Sequence, residues 1–376
     1  MAGGYFWYFA TVGLFAPYWP VYLEHRGLDA VAIGFVMSVF AAMRVLGPPL
    51  YAHWADASGR PLVLLRAALL VAAGCALAFP WVGGLWGIVV VLAVYSALWN
   101  GVMSLYDAHV LGRLGSDAPR YGRLRLWGSV GFIVASMAAG PGLERAGIEV
   151  LPWVWAVLVG LTWTSLLGLG PGEAAAGRGT PAAIGDALRD RRVQVFLVLS
   201  FLMLASHGAY YNFFSLYLER QGYGGAAIGA YWAWGVTAEI GIFLAAPQLL
   251  RRFPIRRLLI AALAATALRW WVLAAWPGSP LMVFLAQTLH LASFGMFHLC
   301  SVSLVQALFP RGASARGQAL HASIGFGLGG VVGALVAGWV WQEVSPEAAF
   351  MACAGIALLA MTVAAAGLRD LPAIIR

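Results

Sequence analysis

The chain of 376 residues is 62% hydrophobic and only 10% charged, with a mean hydropathy of +0.82, and these values exclude a soluble globular domain of this size. Its apolar residues fall in runs of about 18–28, long enough to cross a hydrocarbon core of about 30 Å as helices, whereas membrane barrels show short alternating segments. The net charge of +8 is carried by arginine alone, and the placement of those arginines accounts for it without a nucleic-acid partner.

In chain order the runs predict an all-α membrane protein with twelve transmembrane helices near 4–22, 31–54, 62–80, 84–111, 121–140, 149–169, 193–217, 226–249, 256–276, 280–308, 317–341 and 347–367. The first run is too long and too rich in Trp and Tyr for a cleaved leader, so it is taken as the first span. Most of the 23 arginines fall in alternate loops and at the C-terminus. Only Arg26, Arg145 and Arg220 fall in the opposite loops, while Arg44, Arg125 and Arg269 lie within spans. This asymmetry predicts a multi-pass protein of a bacterial inner membrane with both termini in the cytoplasm. Cys75, Cys300 and Cys353 are scattered in apolar runs and are expected to be core residues rather than a metal site or a disulfide framework.

A Gly/Ala/Pro-rich stretch at 171–192 predicts a cytoplasmic linker between two six-helix bundles, 1–170 and 193–376. An internal repeat supports that division. The segment from Tyr22 to Gly34 matches the segment from Tyr217 to Gly229 at a constant offset of 195, with seven of thirteen positions identical. The same offset carries Arg44 onto Glu239. Parallel six-helix repeats resemble the architecture of the major facilitator transporters, in which the solute site lies between the halves near the midplane. Asp56-Ala57-Ser58-Gly59-Arg60, between the second and third spans, is similar to the D-x-x-G-R core of that superfamily's loop signature. The resemblance implies a structural role for Asp56, Gly59 and Arg60, clamping helix ends.

Charges inside spans cost about 2.5–3.5 kcal/mol each on insertion scales, so each is a functional candidate. They are Arg44, Asp107, Arg125, Glu239 and Arg269, together with the histidines His109, His207, His290, His298 and His321. Asp107, near the end of its span, and Arg125, near the start of the next, are expected at one depth and within pairing distance. Glu239 and Arg269 repeat the arrangement nearer mid-membrane, with His290 close to that level. A buried carboxylate beside an arginine and a histidine is the chemistry that coupling to a proton gradient requires. His298, eight residues beyond His290, is expected on the same face. No third ligand accompanies the two, and no metal or other cofactor is expected. Tyr18, Tyr210, Tyr211 and Asn212 are candidates to line an aromatic cavity, although Tyr also favours membrane interfaces.

The string from Tyr121 to Ser129, Tyr-Gly-Arg-Leu-Arg-Leu-Trp-Gly-Ser, resembles the fifth-helix motif of the lactose-permease-like proton symporters and the related 3-phenylpropionic acid transporters. Ala209-Tyr210-Tyr211, the stretch from Gly235 to Glu239, and Arg269-Trp270 with Leu289-His290 and His298 look most like the phenylpropionate branch. The resemblance implies substrate binding by Asp107 and Arg125; Arg44, Tyr18, Tyr210, Tyr211 and Asn212 are expected to join them as an intramembrane charge and the polar lining of the cavity. It also implies proton coupling by Glu239, Arg269 and His290, with His298 alongside. Ser293 stands where lactose permease carries a further glutamate, so the proton step need not be identical.

The function expected from these residues is proton-coupled symport of a small organic solute by alternating access. The intramembrane arginines outnumber the acids by one, which favours an anion such as an aromatic carboxylate. A neutral sugar or nucleoside is the alternative, and a non-transporting membrane sensor a third. No nucleophile and base, or metal triad, is arranged for an enzyme. The expected partners are the solute, protons and the lipid bilayer, and the protein is expected to be a monomer.

Overall fold

A backbone polar group in lipid has no water to bond, so each apolar run must satisfy its own amides, and the helix does this within the segment. In the computed structural model, which describes residues 1–170, 184–310 and 312–369, the apolar runs are helices and no strand occurs among the described residues. They are α1 (Ala2–His25), α2 (Ala30–Ser58), α3 (Pro61–Ala78), α4 (Gly84–Leu114), α5 (Tyr121–Ala146) and α6 (Leu151–Ser165). After the linker come α7 (Arg191–Arg220), α8 (Gly225–Arg252), α9 (Ile255–Ala275), α10 (Pro280–Leu308), α11 (Ser314–Glu343) and α12 (Pro346–Gly367). The predicted boundaries hold to within a few residues. Residues 171–183 of the expected linker lie outside the described residues; its remainder includes a short helical turn, Gly185–Arg189.

Eleven of these helices are long and apolar enough to cross a membrane. The exception is α1, which has 24 residues but contains Pro17, Pro20 and many Tyr and Trp side chains. Its position explains that composition. Packed along α5 and α6, α1 buries Tyr5, Tyr8, Phe15, Tyr18, Trp19 and Tyr22, so it faces protein where its neighbours face lipid. The rings of Phe15, Trp19, Phe79 and Tyr95 gather around Trp155, whose indole donates to the Tyr95 hydroxyl at 3.0 Å.

The helices group into two compact units. One contains α1–α6 together with the start of α8, Tyr223–Ala233; the other contains α7, the rest of α8 from Trp234, and α9–α12. The repeated sequence forms the same turn in each. Gly27 ends α1 with φ +83° and its amide bonds the Glu24 carbonyl at 2.8 Å; Gly222 ends α7 with φ +83° and its amide bonds the Glu219 carbonyl at 2.9 Å. Only glycine adopts that conformation cheaply, which is why it survives in both copies. A second likeness is an arginine at the start of the third helix of each set. Arg66 Nη2 donates to the carbonyls of Leu166 and Leu169 at 2.8 Å, beyond the end of α6, and Arg256 Nη2 donates to Ala365 O at 2.6 Å, near the end of α12. Each satisfies orphan carbonyls at a negative helix end.

Sequence periodicity does not show three interruptions. α7 breaks at Ser206–His207, and α10 and α11 contain π-helical segments, Leu291–Met296 and Ser323–Gly329. Helix starts follow ordinary chemistry: Asp29, Asp190, Ser279 and Ser345 accept amides of the first turns of α2, α7, α10 and α12. The Arg192 guanidinium beside Asp190 also holds that carboxyl below the usual carboxylate range.

Candidate functional site

In the second unit, α9 places Arg269 fully inside the protein. Its guanidinium lies 4.1 Å from the centre of the Tyr210 ring and 4.5 Å from that of Trp270, both cation–π distances. Nη2 donates to Gln287 Oε1 at 3.0 Å, an oxygen that also accepts from the Tyr210 hydroxyl at 3.2 Å. Nη1 donates to Ser293 Oγ at 3.1 Å and meets His290 Nδ1 at 2.6 Å. Gln287, His290 and Ser293 sit three residues apart on α10, on one face across the entry into its π segment.

The expected pairing of Glu239 with Arg269 is corrected here, because His290 stands between them. His290 Nε2 lies 2.6 Å from Glu239 Oε1, with the side chains 5% and 13% exposed. This network fixes the histidine's protonation. Arginine has donors only, so Nδ1 must supply the lone pair; Nε2 then carries the single proton and donates it to Glu239. His290 is therefore a neutral imidazole that links the buried cation to the carboxylate, and a second proton on its ring would break the Arg269 contact.

Close approach of α8 to α10 makes this contact possible. A side chain at Gly235 would press on Gln287 and His290, and one at Gly295 would collide with Ile242. Farther along the same seam, Trp234 donates to Thr288 Oγ1 at 2.9 Å. His298 does share the face of His290: Phe294 stacks on His290 at 5.4 Å and on His298 at 6.1 Å.

The first unit holds the other acid and arginine, and they do not pair. Asp107 accepts the Tyr5 hydroxyl at 2.6 Å, while the Arg125 guanidinium lies over the Phe9 ring at 4.1 Å and near the Tyr5 ring at 5.7 Å. Helix α1, packed against α5, inserts Tyr5 where a direct salt bridge was expected. Asp107 and Arg125 are both half-buried, as is Arg44, whose guanidinium lies 5.4 Å from the Phe40 ring. The Tyr8 ring stacks face to face on Trp99 at 4.3 Å and lies 5.1 Å from the Phe9 ring that Arg125 covers. The first unit thus brings Arg125 and Asp107 together on an aromatic platform.

Other expected site residues are placed elsewhere. Tyr18 does not join the Asp107 group: its buried hydroxyl is shared between the carbonyls of Ser136 at 3.0 Å and Gly225 at 3.3 Å. Asn212 turns its amide to Gly208 O of its own helix at 2.7 Å, bonding a carbonyl next to the break in α7. Tyr210 and Tyr211 do sit together, with rings 5.2 Å apart; Tyr211 stacks on His207, and Tyr210 covers Arg269. Gly59 caps α2 in the left-handed conformation, φ +62°, and Arg60 leads into Pro61 of α3. The glycine of that loop motif is thereby explained by backbone geometry. His321 accounts for one ring nitrogen through Ser200 Oγ at 2.7 Å. Sequence reasoning missed Tyr5 and Gln287, and it singled out Ser293 only as a departure from the lactose permease pattern. The last two lie at i−3 and i+3 from His290, a spacing that marks them as polar neighbours on one helix face.

The chain is similar to known transporters over nearly its whole length. The sequence profile of the MFS_1 like family matches residues 1–352. A probable 3-phenylpropionic acid transporter of Escherichia coli (strain K12) is 28% identical over 373 residues, covering 96% of this chain and 95% of that protein. The maltose permease of Geobacillus stearothermophilus is 28% identical over 364 residues, covering 95% of this chain and 92% of the permease. A crystal structure of the nucleoside transporter NupG superposes with a TM-score of 0.88 over 98% of both chains at 18% identity, a likeness of fold.

Proposed function

The chain belongs to the MFS_1 like family, and from that premise we propose that this multi-pass membrane transporter couples proton movement to symport of a small organic solute, an aromatic carboxylate, by alternating access. The observation that carries the proton step is the chain from Arg269 through His290 to Glu239. A fixed cation, a neutral relay and a carboxylate at the end of it form a group whose charge responds to any movement of α8 against α10. We assign no enzymatic role.

The solute is assigned to the first unit. Arg125 lies over aromatic rings with Asp107 occupied by Tyr5, which leaves a planar guanidinium suited to a carboxylate fork and an aromatic platform suited to a ring. The 28% identical relative bearing the name of 3-phenylpropionic acid supports that solute class. A second reading, a neutral sugar or nucleoside, is favoured by Asp107 itself, whose carboxylate accepts a hydroxyl from Tyr5 and would accept one from a sugar. The maltose permease at the same identity supports it.

Counterflow into proteoliposomes with labelled 3-phenylpropionate, maltose and a nucleoside separates these solutes, and an imposed inward proton gradient tests the coupling. Accumulation of the aromatic acid that collapses on adding a protonophore is the expected result; counterflow of maltose or the nucleoside alone would select the second reading. The two six-helix halves, 1–170 and 193–376, are assigned a cytoplasmic linker and cytoplasmic termini. A cytosol-active reporter fused after Arg376 should therefore be functional.

A further inference from the structure

The turn joining α8 to α9 reads Arg251-Arg252-Phe253-Pro254-Ile255-Arg256-Arg257, four arginines in seven residues. It is tightly built: the amide of Phe253 bonds Leu249 O at 2.9 Å, and those of Arg257 and Leu258 bond Pro254 O at 2.9 and 3.2 Å. Only Arg256 spends its guanidinium inside the protein, on Ala365 O. Arg251, Arg252 and Arg257 are exposed, and among the described residues their side chains make no ion pair or hydrogen bond; Arg252 only lies 5.7 Å from the Phe253 ring.

Two comparisons set this turn apart from the other arginine-bearing loops on its side. In the turn after α4 and in the linker, arginines meet acids, Arg120 with Asp117 at 3.2 Å, Arg189 with Asp186 at 3.6 Å and Arg192 with Asp190 at 2.6 Å. Here no Asp or Glu occurs anywhere from 240 to 342, so α9, α10 and most of α11 hold no countercharge. The repeat offset of 195 places Asp56–Leu62 under Arg251–Arg257, and that counterpart carries one acid and one arginine. A bias needed only for topology would be met by one or two arginines; four with no acid beside them, three of them exposed, form a local excess of positive charge.

The surroundings define what would supply the negative charge. α8 reaches the turn with Phe243 and Leu244 exposed, the latter by 74%, and Phe253 itself is 40% exposed between the arginines. In a chain that spans the membrane such apolar exposure faces acyl chains, so the arginines stand where hydrocarbon gives way to headgroups.

We propose that Arg251, Arg252 and Arg257 form a docking site for the phosphodiester headgroup of an anionic phospholipid, with the Phe253 ring inserted beside its glycerol backbone. Guanidinium forks match phosphate oxygens in pairs, and the ring gives the site its preference for a lipid over a soluble anion. The inference is independent of the transported solute; it rests on the proposed orientation only for which leaflet supplies the lipid, and binding to purified protein does not depend on that orientation.

The test uses the purified full chain in detergent with added phosphatidylglycerol or phosphatidylcholine, reading retained lipid by native mass spectrometry and thermal stabilisation in parallel. The wild type should prefer phosphatidylglycerol. R251Q/R252Q/R257Q should bind it about 100-fold more weakly at low salt, at about fivefold per arginine, while R113Q/R120Q/R123Q, which neutralises another loop, should bind as the wild type does. Unchanged binding in the first variant, equal loss in the second, or displacement of the lipid by inorganic phosphate would overturn the site. Should the first variant fail to fold, the wild type decides: its preference must collapse as salt rises from about 50 to about 500 mM, and a preference that salt does not move would overturn the proposal.

Discussion

The two units contain the same ingredients and use them differently. Each has an acid and an arginine on different helices with an aromatic ring interposed: Tyr5 between Asp107 and Arg125, His290 between Glu239 and Arg269. A phenol gives its one proton to the acid and offers only its face to the cation, so charge does not pass through it. An imidazole accepts on one nitrogen and donates on the other, so a change at either end is felt at the other. The first centre is half-buried; in the second Arg269 and His290 are buried and only Glu239 keeps some exposure. In the proposed function the first arrangement holds the solute and the second registers the proton.

The comparison is broken most directly at Glu239. Glu239→Gln, permanently neutral, should abolish accumulation against a gradient in proteoliposomes while leaving solute exchange near the wild-type rate. Normal accumulation under an imposed pH gradient would return the acid to a structural role. His290→Phe should come next, because it removes a hydrogen-bond acceptor from the buried Arg269 guanidinium; a hydrogen bond to a charged group is worth about 1.5–3 kcal/mol, and a fall in melting temperature of a few degrees should be measurable. If the second centre were merely structural, both substitutions would lower stability and neither would separate exchange from accumulation.

In the first centre, Arg125→Lys replaces a fork by a point charge and should weaken solute binding at least tenfold by calorimetry, with coupling intact. Tyr5→Phe removes one hydrogen bond from Asp107, worth about 0.5–1.5 kcal/mol, so affinity should change by about two- to tenfold without altering the proton-to-solute ratio. A changed ratio would mean that the phenol belongs to the relay after all. The smallest effect is expected where the units are alike. Gly27→Ala and Gly222→Ala each force a side chain into the left-handed region and should cost about 1 kcal/mol apiece in thermal unfolding; unequal losses would show that the repeated turns carry different loads.

Much of this architecture was legible in the sequence. Run length fixed the helices, and the offset of 195 found two turns that share a φ of +83°. Intramembrane cost drew attention to Glu239, Arg269 and His290, which the structure brings into one chain. Contact order within that chain was not legible, because whether Glu239 meets Arg269 directly depends on helix rotation and on Gly235 and Gly295 letting α8 approach α10. Tyr5 was hidden among the aromatic residues of α1, where composition offers no way to distinguish a hydroxyl bonded to an acid from one at an interface. Tyr18 illustrates the same ambiguity from the other side, since its hydroxyl serves backbone carbonyls. The breaks in α7, α10 and α11 leave no periodic trace, because hydrophobicity all round a buried helix conceals a change in its pitch.

The π segment of α10, Leu291–Met296, has a consequence for how this gene can change. A π segment is a helix carrying one residue more than its turn requires. Removal of a single codon within it would restore regular winding and leave everything from Phe297 onward at nearly the same angle to His290, because the six residues of the wide segment turn about as far as five of α-helix. The half of α10 that bears Gln287 and His290 is thus indexed separately from the half that buries Cys300 and Leu304. Selection can alter the turn at His290 without repacking the far end of the helix, and a one-residue deletion that would rotate half of any regular span would here cost only the wide turn itself.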